Sequence, residues 1–122
     1  MNEKVKIKSE NMTRLSQYRE QLLKNPRLTY LFIEMTNSCN LNCLHCGSGC
    51  GQKNYEYIET DILLKTLKQL AGDYNPQAIM ICLTGGEPLL HPDFFKIVEE
   101  IVNLGSPWAT TTNGTLRETK NA

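Results

Sequence analysis

Two short apolar runs, separated by a stretch of helical period, constrain this chain more than any other feature. Residues 28–35 read LTYLFIEM and residues 78–83 read AIMICL. Continuous runs of branched and aromatic side chains at this length fit strands buried on both faces better than half-exposed ones. Between them, Thr60 and Asp61 offer a helix N-cap and a first-turn acid. Ile62, Leu63, Leu67 and Leu70 fall on one stripe, and Gly72 suits the C-terminal stop. After the second run, Asp93 is placed to cap a helix with Phe94, Ile97, Val98 and Ile101 inward and Gly105 behind it. Residues 108–112 make a weaker third strand that ends in Asn113 and Gly114. Strands alternating with amphipathic helices are βα units on a parallel sheet, with right-handed crossovers and functional groups beyond the C-terminal strand ends.

Upstream, residues 1–27 read as a helical arm. Leu15, Tyr18, Leu22 and Leu23 recur at helical spacing over residues 13–24, and Pro26 closes the helix. The arm carries seven basic and three acidic side chains against six and ten in the remainder, and a short basic excess of this kind reads as a solvated face. Over all 122 residues, 13 basic groups balance 13 acidic ones, which removes the electrostatic argument for a nucleic-acid partner. The longest apolar stretch, residues 28–33, is far short of the roughly 20 residues of a membrane span. The charged start MNEKVKIKSE is followed by polar sequence and not by the apolar core of a secretory signal. The expectation is a cytoplasmic protein with no membrane partner.

Five cysteines, an odd number, argue against a disulfide framework and for metal or redox chemistry. Cys39, Cys43 and Cys46 stand as C-x3-C-x2-C in CNLNCLHC, a loop compact enough to aim three thiolates at one centre. Thiolates are soft ligands that select zinc, copper(I) or iron–sulfur clusters. Structural zinc takes four protein ligands, and Cys50 or His45 would complete such a site here; three cysteines around a cubic cluster leave one iron without a protein ligand. A c-type haem is excluded, because its C-x-x-C-H order needs His after Cys46, where Gly47 stands. Cys82, inside an apolar run, reads as a small hydrophobe. After that run, Gly85 and Gly86 let the backbone turn tightly and lie against a ligand, and Glu87, followed by Pro88, offers a carboxylate to an ammonium group; taken alone, the same string is an ordinary strand-to-helix turn.

In combination and in this order, the cysteine triplet after the first strand, GGEP after the second and Asn-Gly after the third resemble the N-terminal part of a radical S-adenosylmethionine (radical SAM) enzyme, over residues 28–114. The string CNLNCLHCGSGC is similar to members that modify peptides or proteins, or that carry a C-terminal auxiliary-cluster (SPASM-type) domain. The resemblance implies that Cys39, Cys43 and Cys46 ligate a [4Fe-4S] cluster whose fourth iron is chelated by the amino and carboxylate groups of S-adenosylmethionine. Gly85, Gly86, Glu87 and Pro88 would then surround the methionine end, with Glu87 receiving the ammonium group. His45, before the third cysteine, would lie near the adenine, and Thr112 and Asn113 would approach the cofactor from the third strand. His45 reads equally as an exposed loop histidine, and Thr112 and Asn113 as a capped turn. The implied reaction is reductive cleavage of S-adenosylmethionine to a 5′-deoxyadenosyl radical that takes hydrogen from a substrate. A flavodoxin or ferredoxin would be the reductant and a peptide or protein the substrate.

The expected fold is therefore α/β, an incomplete (β/α) partial TIM barrel preceded by an N-terminal helix. A full barrel needs about 250 residues, or about 31 per unit, so residues 28–122 hold about three units of a truncated core behind the arm of residues 1–27. An open edge at residues 108–112 exposes unpaired backbone groups and an apolar sheet face, and poor solubility of the chain alone is expected. A non-catalytic zinc module on Cys39, Cys43, Cys46 and Cys50, which has no use for GGEP, and an inactive fragment are the alternative readings.

Overall fold

The computed structural model describes residues 2–51 and 55–116. Helix α1 (Glu3–Lys24) precedes strand β1 (Tyr30–Glu34), helix α2 (Thr60–Asp73), strand β2 (Met80–Thr84), helix α3 (Phe94–Asn103) and strand β3 (Trp108–Thr110). The three strands form one parallel sheet in the order β1-β2-β3, with Phe32 beside Cys82 and Cys82 beside Ala109. Two βα crossovers thus join adjacent parallel strands, as the alternating pattern predicts.

The core lies between the sheet and helices α2 and α3. Ile33, Ile81 and Leu83 from the strands meet Leu63 and Leu67 of α2 and Phe94, Ile97 and Ile101 of α3, with Met35 and Ile79 at the strand ends. The opposite face of the sheet is exposed: Tyr30 and Phe32 are 61% and 68% accessible. This corrects the expectation that β1 is buried on both faces. Its burial alternates, and only the face toward the helices is covered. An uninterrupted apolar run reports side-chain character, not the number of faces that neighbours cover.

Element ends differ from the sequence reading for local reasons. Helix α1 begins ten residues earlier than the expected start at residue 13, because Asn2 accepts the Lys4 amide as N-cap and Glu3 stands in the first turn; none of its residues is buried. Thr60 is the first helical residue of α2 and not its cap. Its hydroxyl donates to Asp93 Oδ2 at 2.7 Å, so the two side chains expected to cap α2 and α3 bond each other and tie the two helix starts together. Helix α2 also runs through Gly72 to Asp73, and its Ile62 faces solvent. Gly105 behaves as expected: at φ +78° it ends α3, and its amide reaches Val102 O. The strand expected over residues 108–112 ends at Thr110, and Ala78 belongs to a short 3-10 turn before β2. No described helix is long and apolar enough to cross a membrane.

Candidate cofactor site

All three sequence motifs lie at the C-terminal edge of the sheet, where parallel strands release their chain ends. The cysteine segment leaves β1 and is closed at its base like a lasso. Residues 35–37 pair with residues 56–58: Ile58 N donates to Met35 O at 3.0 Å, Asn37 N to Glu56 O at 3.3 Å, and Thr36 Oγ1 to Glu56 O at 2.6 Å. Farther in, Cys39 N donates to Gly51 O at 3.3 Å. The returning strand is anchored by buried His91, whose Nδ1 accepts the Asp93 amide at 3.1 Å and whose Nε2 therefore donates to Ile58 O at 2.9 Å. Tyr57 packs edge-on to the His91 ring.

The diglycine turn after β2 rests directly on the base of this lasso. Gly86 N donates to Thr36 O at 2.7 Å and Glu87 N to Ser38 O at 2.9 Å. A Cβ on Gly86 would stand 2.0 Å from Ser38 O, and one on Gly85, at φ +143°, 2.4 Å from Thr36 O. Both positions need glycine because the backbone of the cysteine segment fills the space. GGEP and the cysteine triplet, 39 residues apart from Cys46 to Gly85, are thus one piece of structure.

Glu87 is fully buried, and three donors of the chain converge on its carboxylate. Leu89 N and Thr112 Oγ1 donate to Oε1 at 3.2 and 2.8 Å, and Asn113 N donates to Oε2 at 2.8 Å. Thr112 and Asn113 are exposed residues just past β3, and Glu87 fixes the turn they form. Pro88 is buried beneath it. His45 is exposed, as are Cys43 and Cys46, whereas Cys39 and Cys50 are half-buried.

All five cysteines are free thiols. The backbone amides of Cys50 and then Ser48, bonding to its sulfur, draw the Cys46 thiol below its ordinary pKa. Burial, then the negative charge on Cys46 and Cys39, pushes the Cys50 thiol up. Among the described residues, no three His, Cys, Asp or Glu side chains stand close enough to hold a metal ion, so the thiols share a loop without being gathered on one point. The donor set nonetheless suits a soft centre: three unpaired thiols on a turn-rich segment whose two ends are fixed.

Two features of the site escaped the sequence reading. Glu34 ends β1 on the uncovered face and, with Gly85, Ser48 and Cys50, lines a cavity of about 250 Å³ beside the cysteine loop. Alternation of Tyr30, Phe32 and Glu34 along the strand was the signal for it. Asn40 bonds to Asn113 and to Thr115 across more than 70 residues of sequence, and no local signal announces such a contact.

A family model described as the radical SAM superfamily matches residues 33–121. The chain is 34% identical over 90 residues to the tungsten-containing aldehyde ferredoxin oxidoreductase cofactor-modifying protein of Pyrococcus furiosus, covering 73% of this chain and 25% of that protein. It is 36% identical over 84 residues to the AdoMet-dependent heme synthase of Methanosarcina barkeri, covering 68% and 23%. With a probable GTP 3',8-cyclase of Methanothermobacter thermautotrophicus it shares 39% over 90 residues, covering 72% and 28%. The chain spans about a quarter of the length of these relatives. No match to a solved structure reaches significance.

Proposed function

This chain belongs to the radical SAM superfamily, and on that premise we propose that it is the cluster-binding part of a radical SAM enzyme. Cys39, Cys43 and Cys46 would hold a [4Fe-4S] cluster, leaving one iron for the amino and carboxylate groups of S-adenosylmethionine. The observation that carries this reading is the direct seating of the GGEP turn on the base of the cysteine lasso, which puts the Gly86 backbone beside Cys39, the first of the three cysteines. When bound, the cluster supplies one electron to the sulfonium, and S-adenosylmethionine supplies the radical that takes hydrogen from substrate.

The rest of the work belongs to the chain. Gly85 and Gly86 let the turn lie directly against the backbone of the cysteine segment, and buried Pro88 keeps that turn rigid. Glu87 serves the site through the turn it braces, since its carboxylate is buried and occupied by Leu89, Thr112 and Asn113. His45, exposed on the loop, offers a ring face to the adenine. In this reading β1, β2 and β3 are the first strands of a partial barrel, and their uncovered face looks into its cavity, where water must be kept from the radical. A flavodoxin or ferredoxin as electron donor, a peptide or protein as substrate and a cytoplasmic setting complete the proposal; the substrate class rests on the likeness of the CNLNCLHCGSGC loop to that of peptide-modifying members.

Anaerobic reconstitution with iron and sulfide tests the reading. The expected result is about four irons per chain and an electron paramagnetic resonance spectrum of the reduced protein that changes on adding S-adenosylmethionine. Cys43→Ala should abolish cluster assembly and Cys50→Ala should spare it. A second reading, a structural zinc centre on Cys39, Cys43, Cys46 and Cys50, is favoured by the closeness of the Cys46 and Cys50 thiols, each of which shifts the other's pKa. One zinc per chain with no cluster, and equal metal loss in both variants, would establish it instead.

A further inference from the structure

The turn after β3 closes a ring of hydrogen bonds beside the first cysteine. Asn40 Nδ2 donates to Thr115 Oγ1 at 2.6 Å, Thr115 Oγ1 donates to Asn113 Oδ1 at 2.7 Å, and Asn113 Nδ2 donates back to Asn40 Oδ1 at 2.8 Å. Every donor in the ring meets an acceptor, so the orientation of both amides is fixed. The same Asn113 Nδ2 lies 3.9 Å from Cys39 Sγ, which also takes the Leu41 amide at 3.5 Å. Behind the ring, Asn113 is held by its backbone amide on Glu87 Oε2 and by its side-chain oxygen on the Thr115 amide at 3.0 Å.

We propose that Asn113 is a positioning residue for Cys39, orienting the first cysteine of the triplet and placing an amide hydrogen beside its sulfur, with Glu87 setting the position of Asn113. The proposal rests on the reading of Cys39 as a cluster ligand and adds to it the outer partner that fixes it. Outer-shell hydrogen bonds fix ligand geometry, and those to cluster sulfurs stabilise the more negative, reduced state. Asparagine suits the position because one side chain must donate to Asn40 and Cys39 and accept from Thr115. Aspartate keeps the shape and the bonds to Thr115 and Glu87, loses the donor, and sets a carboxylate against the sulfur.

Two measurements on the 122-residue chain test this. In the metal-free, reduced protein, alkylation by iodoacetamide is followed by peptide mass spectrometry, with exposed Cys43 as internal reference. Asn113→Ala should raise the ratio of Cys39 to Cys43 labelling about fivefold, the effect of losing a hydrogen bond of ordinary strength. In the reconstituted protein, Asn113→Asp should weaken iron retention about tenfold against a chelator and lower the midpoint potential, with Glu87→Gln moving both the same way. An unchanged labelling ratio, or an unchanged potential at full iron content, overturns the proposal. Wild type that takes up no iron sinks the ligand reading and the role of Asn113 in metal binding with it. A raised labelling ratio in that case would leave only the clasp on the thiol standing. Should Asn113→Ala lose its circular dichroism spectrum, Asn113→Asp serves for the labelling as well.

Discussion

Gly86 and Gly47 are both loop glycines in the sequence, and the structure separates them by what lies beside them. A methyl on Gly86 would collide with Ser38 O, whereas one on Gly47 meets nothing within 4 Å. Gly86→Ala should therefore break the seating of GGEP on the lasso and lower the urea midpoint by the equivalent of about 2 kcal/mol or more, while Gly47→Ala should stay within about 0.5 kcal/mol of wild type. Chemical denaturation of the metal-free chain checks both. Sequence alone marked Gly86 as a place of close approach, but not that the approaching group is the chain itself, because that depends on a partner 48 residues upstream at Ser38. The two thiols at the mouth of the loop diverge in a similar way. Cys46 is held below and Cys50 above the ordinary thiol range. A lowered pKa keeps the reactive thiolate at lower pH, so the rate of Cys46 alkylation should rise at a lower pH than that of Cys50. Because the charge on Cys46 contributes to raising Cys50, Cys46→Ser should move the Cys50 profile toward lower pH. Coincident profiles in the wild type would contradict both assignments.

At the scale of elements, the order of strands and helices was legible because period and composition change together at each boundary. Leu63 and Leu67 in α2, and Phe94, Ile97 and Ile101 in α3, were read correctly as inward positions. What the sequence hid was pairing between elements. Thr60 and Asp93 each carry the chemistry of a cap, and only their 2.7 Å contact shows that they satisfy one another. The reach of α1 was hidden for the opposite reason: its first turns hold lysines and glutamates that favour helix without an apolar stripe. A helix with no buried residue has little to contribute to the unit behind it. Deleting residues 1–24 should lower the helical dichroism in proportion to the residues lost and leave the thermal midpoint of the remainder within a few degrees of wild type. A large fall in that midpoint would show that α1 packs on the α/β unit more tightly than its exposure indicates.

For the molecule as a whole, the decisive feature is a sheet that, among the described residues, has three strands and carries core-forming helices on one face only. The sequence reading placed the solubility problem both at the edge of the third strand and on an apolar sheet face; β3 spans only three residues, and short edge strands are poor templates for pairing. The larger exposure is the uncovered face, where Tyr30 and Phe32 project beside Met80 and half-buried Cys82. Alternation along β1 and β2 puts these apolar side chains on the same side as Glu34 and the mouth of the cysteine loop. The surface that would form the floor of a radical-shielding cavity is thus also the surface most prone to self-association. Phe32→Lys places a charge at the centre of that patch, seven residues before Cys39 across the strand end, without altering the helix-facing core. Sedimentation velocity over a hundredfold range of concentration should show the wild-type chain moving to larger species and Phe32→Lys remaining smaller at the same concentrations. If the variant associates as strongly as wild type, the attraction lies at the β3 edge after all, and a charge introduced at Ala109 should then relieve it.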